Sequence, residues 1–355
     1  MPGLRQSCLL FSRITLSIRL LATAIPKSRV VKSFLARSFL AIYASHLLIV
    51  QLCLVLPYLV SGEKHLVYSI LLLTYTCFCW SVTKCISRDP SIRGLLLSSK
   101  SKMDWTYCLT CQTLRPPRAH HCFDCAVCIL RRDHHCTILG QCIGHANWRY
   151  FCNTPLYGML GCAFMSYYNL MLIFYSDYLP NNWSFSYRFL CIITPPGIMW
   201  LTGYLTFLQS IIFLTTSLST LTACLLFVFT IYELNLMLTN QTMFERAFNK
   251  SFDQFHCNST SYSSNNDFIN NVKNYPGVEK TSNITRNTSL HREQQQQQQQ
   301  FTNNNSSSIY DVGYLNNVKQ YLGERWILAI LCPFINSQLT TDGLNFPTSD
   351  SIKFK

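Results

Sequence analysis

Charged residues are scarce in this 355-residue chain, and acidic residues are scarcer than basic ones. Charged residues make up 13% of the sequence, about half the usual quarter in a soluble globular protein. Sixteen residues are acidic against 29 that are basic, and the first acidic residue is Glu63. A soluble enzyme of this length needs a more highly charged surface. Because 49% of the residues are hydrophobic and 14% are aromatic, the composition predicts a polytopic membrane protein instead.

Cysteine, by contrast, is abundant, with 18 residues. Secreted proteins that depend on many disulfides are short chains, so the length argues against a disulfide scaffold. Seven of the cysteines lie between Cys108 and Cys142, and the others are scattered, mostly through apolar stretches. This clustering favours a metal-binding module.

Uncharged apolar stretches predict four transmembrane helices, because each is long enough to cross the hydrocarbon core of a bilayer. They lie near residues 39–60, 65–83, 150–176 and 205–232. A fifth span is the alternative, since the whole stretch 189–232 is uncharged. Pro195 and Pro196 disfavour a regular helix in its first half, so we expect residues 189–204 to form a partly buried outer segment.

The distribution of lysine and arginine predicts which ends of the helices face the cytosol. Basic residues without any acid precede the first span, and ten more lie between Lys84 and Arg149. Both segments are therefore expected on the cytosolic side, which places the cysteine cluster in a reducing compartment. The basic start also resembles a transit peptide, but a cytosolic amphipathic segment is the favoured interpretation.

The predicted domain organisation follows from these spans. It comprises a basic cytosolic segment at 1–38, helices 1 and 2 at 39–83, a cytosolic cysteine-rich catalytic domain at 84–152, helices 3 and 4 with an outer loop at 153–235, and a cytosolic tail at 236–355. Within the tail, residues 249–308 are rich in Asn, Ser, Thr and Gln and are expected to be disordered.

Two interleaved copies of one spacing, C-x2-C-x9-H-x6-C, run through the cysteine cluster fourteen residues apart. The first copy is Cys108, Cys111, His121 and Cys128, and the second is Cys122, Cys125, His135 and Cys142. Each copy supplies three thiolates and one imidazole, a closed tetrahedral set suited to Zn²⁺. A single C-x2-C pair is weak evidence, but the repetition predicts two bound zinc ions.

The same repeat leaves one cysteine without a metal. Cys136 stands where each copy begins, but its C-x2-C partner position holds Leu139. Next to Cys136 lie His134, which is also outside the ligand sets, and Asp133. A thiol, a general base and a carboxylate that orients the base are the parts of an activated nucleophile. The residues alone leave open a purely structural zinc module with a spare cysteine.

The sequence Asp133-His134-His135-Cys136 within this frame resembles the DHHC protein S-acyltransferases, the palmitoyltransferases. The likeness extends over roughly residues 40–335. It includes Arg115-Pro116, Arg118, the run Ala119 to Cys122, Cys128-Ile129-Leu130, Cys142-Ile143-Gly144, Asn147, Phe151, Asp89-Pro90-Ser91, Thr242-Met243-Phe244-Glu245, Tyr310 to Gly313, Asn317 and Gly323.

Five positions depart from the family's pattern. Thr137 and Ile138 stand where the family usually has Pro-Trp, and Gln141 replaces an asparagine. Ser91 replaces a glycine and Met243 a threonine that helps to hold the catalytic aspartate. No zinc ligand and no catalytic residue of the family is missing.

The resemblance implies an enzyme that moves a fatty acyl group, palmitoyl in the first instance, from acyl-CoA through an acyl-Cys136 intermediate to cysteines of membrane-associated proteins. It implies that His134 is the base, that Asp133 orients it, and that both zinc ions are structural. Candidate contacts for the CoA phosphates are Arg115, Arg118, Arg131 and Arg132, although positive-inside topology explains these arginines equally well.

The resemblance further implies an endoplasmic reticulum, Golgi or other endomembrane location with the site facing the cytosol. The alternative is a catalytically impaired member that acts as a membrane-anchored zinc adaptor or regulatory subunit. Nucleic acid is not expected as a partner, since the charge follows membrane sidedness.

Overall fold

The computed structural model describes residues 29–58, 64–93, 105–175, 178–180, 182–249 and 308–349. The predicted basic N-terminal segment, 1–38, and the predicted disordered insertion, 249–308, lie outside the described residues except for 29–38, 249 and 308. Among the described residues, four helices are long and apolar enough to cross a membrane.

The first spanning helix, α1, runs over Arg29–Val50 and continues through a π-helical turn, Gln51–Val55, and a 3₁₀ turn, Leu56–Tyr58. The second, α2, spans Lys64–Ser87, and the third, α3, spans Trp148–Tyr175. Two short helices follow, α4 at Phe185–Ile193 and α5 at Pro196–Leu201.

The last spanning helix, α6, covers Phe207–Leu238 and starts with a capping box between Thr206 and Gln209. This box satisfies backbone N–H groups that a helix start otherwise leaves unpaired. The segment before it does not form a fifth span. Its two helices are too short to cross a bilayer, and α5 begins at Pro196, a position where proline costs no hydrogen bond. The prediction of four spans is therefore confirmed.

Helix α3 is the centre of the bundle and packs against both α2 and α6. Gly158 permits the close approach, because a Cβ there would lie 3.0 Å from Leu226 of α6 and 3.5 Å from Phe78 of α2. Small residues at such crossings let membrane helices pack by van der Waals contact where no hydrophobic driving force acts.

Between α2 and α3, the described chain forms three antiparallel hairpins at intervals of fourteen residues. They pair β1 (Thr106–Cys108) with β2 (Thr113–Arg115), β3 (His120–Cys122) with β4 (Val127–Ile129), and β5 (His134–Cys136) with β6 (Gln141–Ile143). Equivalent turn residues have left-handed backbones, with φ of 51° at Gln112, 52° at Ala126 and 64° at Gly140. The spacing repeat in the sequence is thus a repeat of whole hairpins.

After α6, helix α7 covers residues 243–249. The tail then forms α8 at Tyr314–Leu322 and α9 at Trp326–Leu331. Residues 336–349, called the C-terminal strap below, extend over the hairpins. There the strap residue Leu344 joins the buried cluster that contains Cys128 and Ile129.

Helix α9 docks against the membrane helices. Its carbonyls at Ala329 and Ile330 accept hydrogen bonds from Asn153 (2.9 Å) and Tyr157 (2.7 Å) of α3. Trp80 of α2 donates to the carbonyl of Pro333 at 3.2 Å. The tail and the membrane bundle therefore form one packed unit around the hairpins.

Candidate active site and metal-binding module

The hairpins bring all eight predicted metal ligands together in two groups. Cross-strand pairing places His121 opposite Cys128 and His135 opposite Cys142, so each pair projects from the same face of its hairpin. Each group is completed by the two cysteines of the preceding hairpin. Within each group the ligand atoms all lie within 4.8 Å of one another.

The donor chemistry of both groups fits zinc. Nδ1 of His121 lies 3.2 Å from the sulfur of Cys111, and Nδ1 of His135 lies 3.3 Å from the sulfur of Cys125. Three sulfurs and one imidazole nitrogen at such separations can surround a single tetrahedral ion with Zn–S bonds of about 2.3 Å. Both groups are closed, with no vacant fourth position for a water molecule.

The third hairpin has the shape of a zinc knuckle without its second cysteine. Its turn is closed by a hydrogen bond of 2.7 Å from the Gly140 N–H to the Cys136 carbonyl. The Leu139 N–H points to the Cys136 sulfur at 3.5 Å. Cys136 is half-buried, whereas Thr137 and Ile138 at the tip of the hairpin are exposed. The Cys136 sulfur thus faces a backbone N–H, whereas the equivalent cysteines of the other two hairpins belong to the metal groups.

His134 and Cys136 project from the same face of β5, because successive side chains of a strand alternate. His135, between them, points to the other face and joins the metal group. Nδ1 of His134 lies 2.7 Å from Oδ2 of Asp133, which fixes the imidazole with Nδ1 as donor. The edge of the His134 ring packs on Phe151, with centroids 4.9 Å apart.

The second carboxylate oxygen of Asp133 is held by the start of α7. The Met243 N–H donates to Oδ1 at 2.8 Å. Thr242 and Glu245 form a capping box at this helix start: the Glu245 N–H donates to the Thr242 hydroxyl at 3.1 Å and the Thr242 N–H donates to the Glu245 carboxylate at 2.9 Å. Because the contact to Asp133 comes from the backbone, it does not require the threonine side chain that Met243 replaces.

Two of the other departures from the family's pattern also make defined contacts. Gln141 donates to the Cys85 carbonyl at 2.5 Å. Ser91 donates to Asp89 through both its backbone N–H and its hydroxyl, each at 2.9 Å. Pro90 between them accepts a hydrogen bond of 2.9 Å from the Leu130 N–H. These substitutions therefore leave the hairpin module attached to α2.

The electrostatics of the site favour a thiolate–imidazolium pair. Burial lowers the pKa of His134, but the hydrogen bonds to Asp133 and Cys136 outweigh burial and raise its pKa to about 9. Burial raises the pKa of Cys136, but the bond to His134 and the backbone N–H of Leu139 outweigh burial, so its pKa lies below the ordinary value. A thiol next to a cationic imidazole is a stronger nucleophile at neutral pH because more of it is ionised.

Two of the four arginines expected to meet CoA phosphates are committed to protein partners. The side chain of Arg118 is 1% exposed and forms a bidentate pair with Glu245, at 2.7 and 2.8 Å. Arg131 is 3% exposed, stacks on Tyr321 at 3.5 Å and donates to Asn240 at 2.6 Å. Such burial makes both guanidinium groups inaccessible to a CoA phosphate.

The other two arginines are half-buried. Arg115 donates to the Thr106 hydroxyl at 2.8 Å. The guanidinium of Arg132 lies over the ring of Phe244, 5.0 Å from its centroid. Of the four arginines, only Arg115 and Arg132 therefore remain candidates for contacts with the CoA phosphates.

Sequence reasoning missed Asn240, which connects three parts of the molecule. Its side-chain oxygen accepts from Arg118 and Arg131 of the hairpin module, and its amide donates to the Tyr310 carbonyl at 2.6 Å. Asn240 is fully buried with a left-handed backbone, φ 47°. Asparagine adopts that conformation more readily than most residues. An asparagine two residues before the Thr-x-x-Glu box is therefore the sequence feature that could have pointed to this junction.

Comparison with known proteins agrees with this geometry. Residues 101–250 match the family described as DHHC palmitoyltransferase. Residues 101–250 therefore form a DHHC palmitoyltransferase domain. The human protein named "Probable palmitoyltransferase ZDHHC24" is 28% identical over 267 residues, which cover 74% of this chain and 72% of the relative.

Two further relatives show how the likeness is distributed. The zebrafish (Danio rerio) protein named "Probable palmitoyltransferase ZDHHC24" is 27% identical over 277 residues, 78% of this chain and 73% of its own. Human "Palmitoyltransferase ZDHHC20" is 45% identical over 60 residues, 17% of this chain and 16% of its own. The DHHC palmitoyltransferase likeness thus spans most of this chain at low identity and is higher over a short stretch.

Proposed function

We propose that this chain is a protein S-acyltransferase that carries a fatty acyl group, palmitoyl in the first instance, on Cys136. The contact between His134 and Asp133, on the same hairpin as Cys136, carries the proposal. It supplies an oriented base for a sulfur that has no place in either metal group.

In the first step, the Cys136 thiolate attacks the carbonyl carbon of an acyl-CoA thioester. A C–S bond to Cys136 forms and the bond to the CoA sulfur breaks. His134, which holds the proton taken from Cys136, returns it to the departing CoA thiolate. Asp133 keeps Nδ1 of His134 protonated, so that the other ring nitrogen exchanges the proton.

In the second step, the thiol of a cysteine in a membrane-associated protein attacks acyl-Cys136. His134 removes the proton of the incoming thiol, and the Cys136 thiolate leaves. One thioester replaces another in each step, so no external energy source is needed.

The two cysteine–histidine groups would hold structural zinc ions. Zinc supplies cross-links between successive hairpins, and the closed donor sets leave no coordination position for a substrate. Because His135 is a ligand, one ion fixes the strand that carries His134 and Cys136. Loss of metal should therefore misplace the catalytic residues without removing one of them.

The position of the site at the ends of the membrane helices suits a fatty acyl substrate. Burial contributes about 0.8 kcal/mol per methylene, so a palmitoyl chain gains on the order of 10 kcal/mol between the helices. The anionic CoA remains on the cytosolic side, where Arg115 and Arg132 are the candidates for its phosphates. We propose an endomembrane location with the hairpins in the cytosol.

Labelling with palmitoyl-CoA tests the proposal. Purified protein in detergent micelles is incubated with alkyne-tagged palmitoyl-CoA, and adducts that hydroxylamine removes are quantified. The wild type should label and Cys136→Ser should not. His134→Ala should label about 10²–10⁴-fold more slowly, the usual loss on removing a general base.

Cys332→Ser is the matched control, because Cys332 is also a half-buried free cysteine. This variant should label like the wild type, and zinc analysis should give two ions per chain. Equal labelling of wild type and Cys136→Ser contradicts the assignment of the nucleophile. A wild type that binds two zinc ions but forms no adduct supports the adaptor alternative.

A further inference from the structure

The turn of the hairpin that carries Cys136 lacks the metal ligand that the turns of the other two hairpins supply. In the first and second hairpins, the second cysteine of each turn joins a metal group shared with the next hairpin. Leu139 stands at that position in the third hairpin. It is 2% exposed, so its side chain is packed against protein.

The N-terminal part of α1 makes the contacts at this position. The Nε–H of Arg37 donates to the Leu139 carbonyl at 2.7 Å. Gly140, the next residue, lies so close to Ser33 that a Cβ there would overlap the serine side chain. Leu40 packs on the buried cluster that contains Leu139.

Ser33, Arg37 and Leu40 lie on one face of α1, since residues four and seven apart in a helix share a face. On this face, Arg37 donates a hydrogen bond to the turn of the third hairpin and Ser33 packs closely against it. Leu40 packs on the apolar cluster that contains Leu139. Arg37 bonds to the carbonyl of Leu139, and the N–H of the same residue points to the Cys136 sulfur. A shift of this turn would move both the sulfur and its backbone donor.

We propose that Arg37 is a positioning residue for Cys136, and that the end of α1 takes the place of a metal ion in attaching the turn of the third hairpin. This inference rests on the proposed function, because it concerns the placement of the nucleophile. A knuckle held by a helix leaves its sulfur free to form and break a thioester, which a metal-bound sulfur cannot do.

The test is the rate at which acyl-Cys136 forms, measured against the concentration of palmitoyl-CoA. Arg37→Met should lower the maximal rate roughly 10- to 100-fold, because a misplacement of about 1 Å has an effect of that size. The KM for palmitoyl-CoA should stay within about twofold, since the residue places the nucleophile and does not bind the donor. Arg37→Lys should recover most of the rate, because an ammonium group can donate to the same carbonyl.

Lys32→Met is the matched control. Lys32 is an exposed cation on the same helix, so its removal changes the charge equally and should leave the rate unchanged. Ser33→Leu should also lower the maximal rate by pressing on Gly140, whereas Phe34→Leu, at a position that is 67% exposed, should not. Every variant is checked for two zinc ions per chain.

A maximal rate unchanged in both Arg37→Met and Ser33→Leu would overturn the inference. A raised KM at an unchanged maximal rate would overturn it too, because it would make Arg37 a donor-binding residue. A wild type that forms no adduct refutes the proposed function itself, so the two failures are distinguishable. If Arg37→Met loses zinc, Ser33→Leu decides the question.

Discussion

A backbone amide, and not the side chain that the family pattern emphasises, holds the carboxylate of Asp133. Its donor is the N–H at the first residue of α7, where a helix leaves N–H groups free to bind an anion. The departure at Met243 is therefore compatible with an oriented His134. The hydrogen bond itself is the feature to test.

Met243→Pro should slow formation of acyl-Cys136 by about 10- to 100-fold. Proline is compatible with the first turn of a helix, so the change removes one donor and leaves the helix in place. A hydrogen bond to a charged group contributes about 1.5–3 kcal/mol, which converts to that range of rates if it is lost in the transition state. The rate is measured by single-turnover labelling with palmitoyl-CoA.

Met243→Thr is the control for that measurement. It restores the family's residue and keeps the N–H, so its rate should stay within about threefold of the wild type. If Met243→Pro labels as fast as Met243→Thr, the amide is not what orients Asp133.

Among the elements, the hairpins were the most predictable from sequence. The ligands of each metal group lie close to one another along the chain, so local spacing was enough to group Cys108 and Cys111 with His121 and Cys128. The same spacing identified Cys136 as the sulfur left over. The sequence did not predict that α1 reaches the third hairpin, because Arg37 and Leu139 are 102 positions apart and no local pattern records such a contact.

The C-terminal strap was equally unpredictable. Its residues show no helical or strand periodicity, yet Leu344 is buried among the hairpins and Phe346 lies 5.1 Å from the Arg118 guanidinium. The strap also contacts His145, whose Nε2 lies 3.0 Å from the Thr341 carbonyl. A short, irregular segment acquires its structure only from the surface on which it packs.

The attachment of the strap should weaken as the pH falls from about 6.5 to about 5.5. Burial and the nearby Arg131 lower the pKa of His145 to about 4, with Arg118 acting in the same direction and the hydrogen bond to Thr341 and the charge of Asp342 opposing them. Its ordinary pKa is about 6.5. When the strap is released, His145 is exposed and binds a proton at a higher pH than it does in the attached state. The free energy of strap attachment therefore weakens by roughly 1 kcal/mol as the pH falls by one unit through this window.

Hydrogen exchange of the amides at 341–349, corrected for intrinsic rates, measures this attachment. Protection in the wild type should fall about fivefold over that unit of pH. His145→Gln cannot titrate, so its protection should not change over the same window. An equal loss of protection in both proteins would show that another group is responsible.

At the scale of the whole molecule, long uncharged apolar stretches predicted the four spans, because the bilayer imposes its thickness on any sequence that crosses it. The junction between the membrane bundle, the hairpins and the tail was not predictable. It is made by single polar residues far apart in sequence, above all Arg118, Glu245 and Asn240.

Arg118→Met should destabilise the protein by about 3–5 kcal/mol, because it leaves the Glu245 carboxylate, whose side chain is only 20% exposed, without its partner. Replacing both residues in Arg118→Met/Glu245→Leu should cost clearly less than the sum of the two single changes, since no unpaired charge remains. Unfolding is followed in micelles by denaturant titration, with zinc release as a second signal.

Lys319 and Glu324, an exposed pair 3.1 Å apart, provide the control cycle, and their coupling should stay below about 1 kcal/mol. Strictly additive costs at Arg118 and Glu245 would mean that the pair does not connect the hairpins to the bundle energetically, whatever their distance.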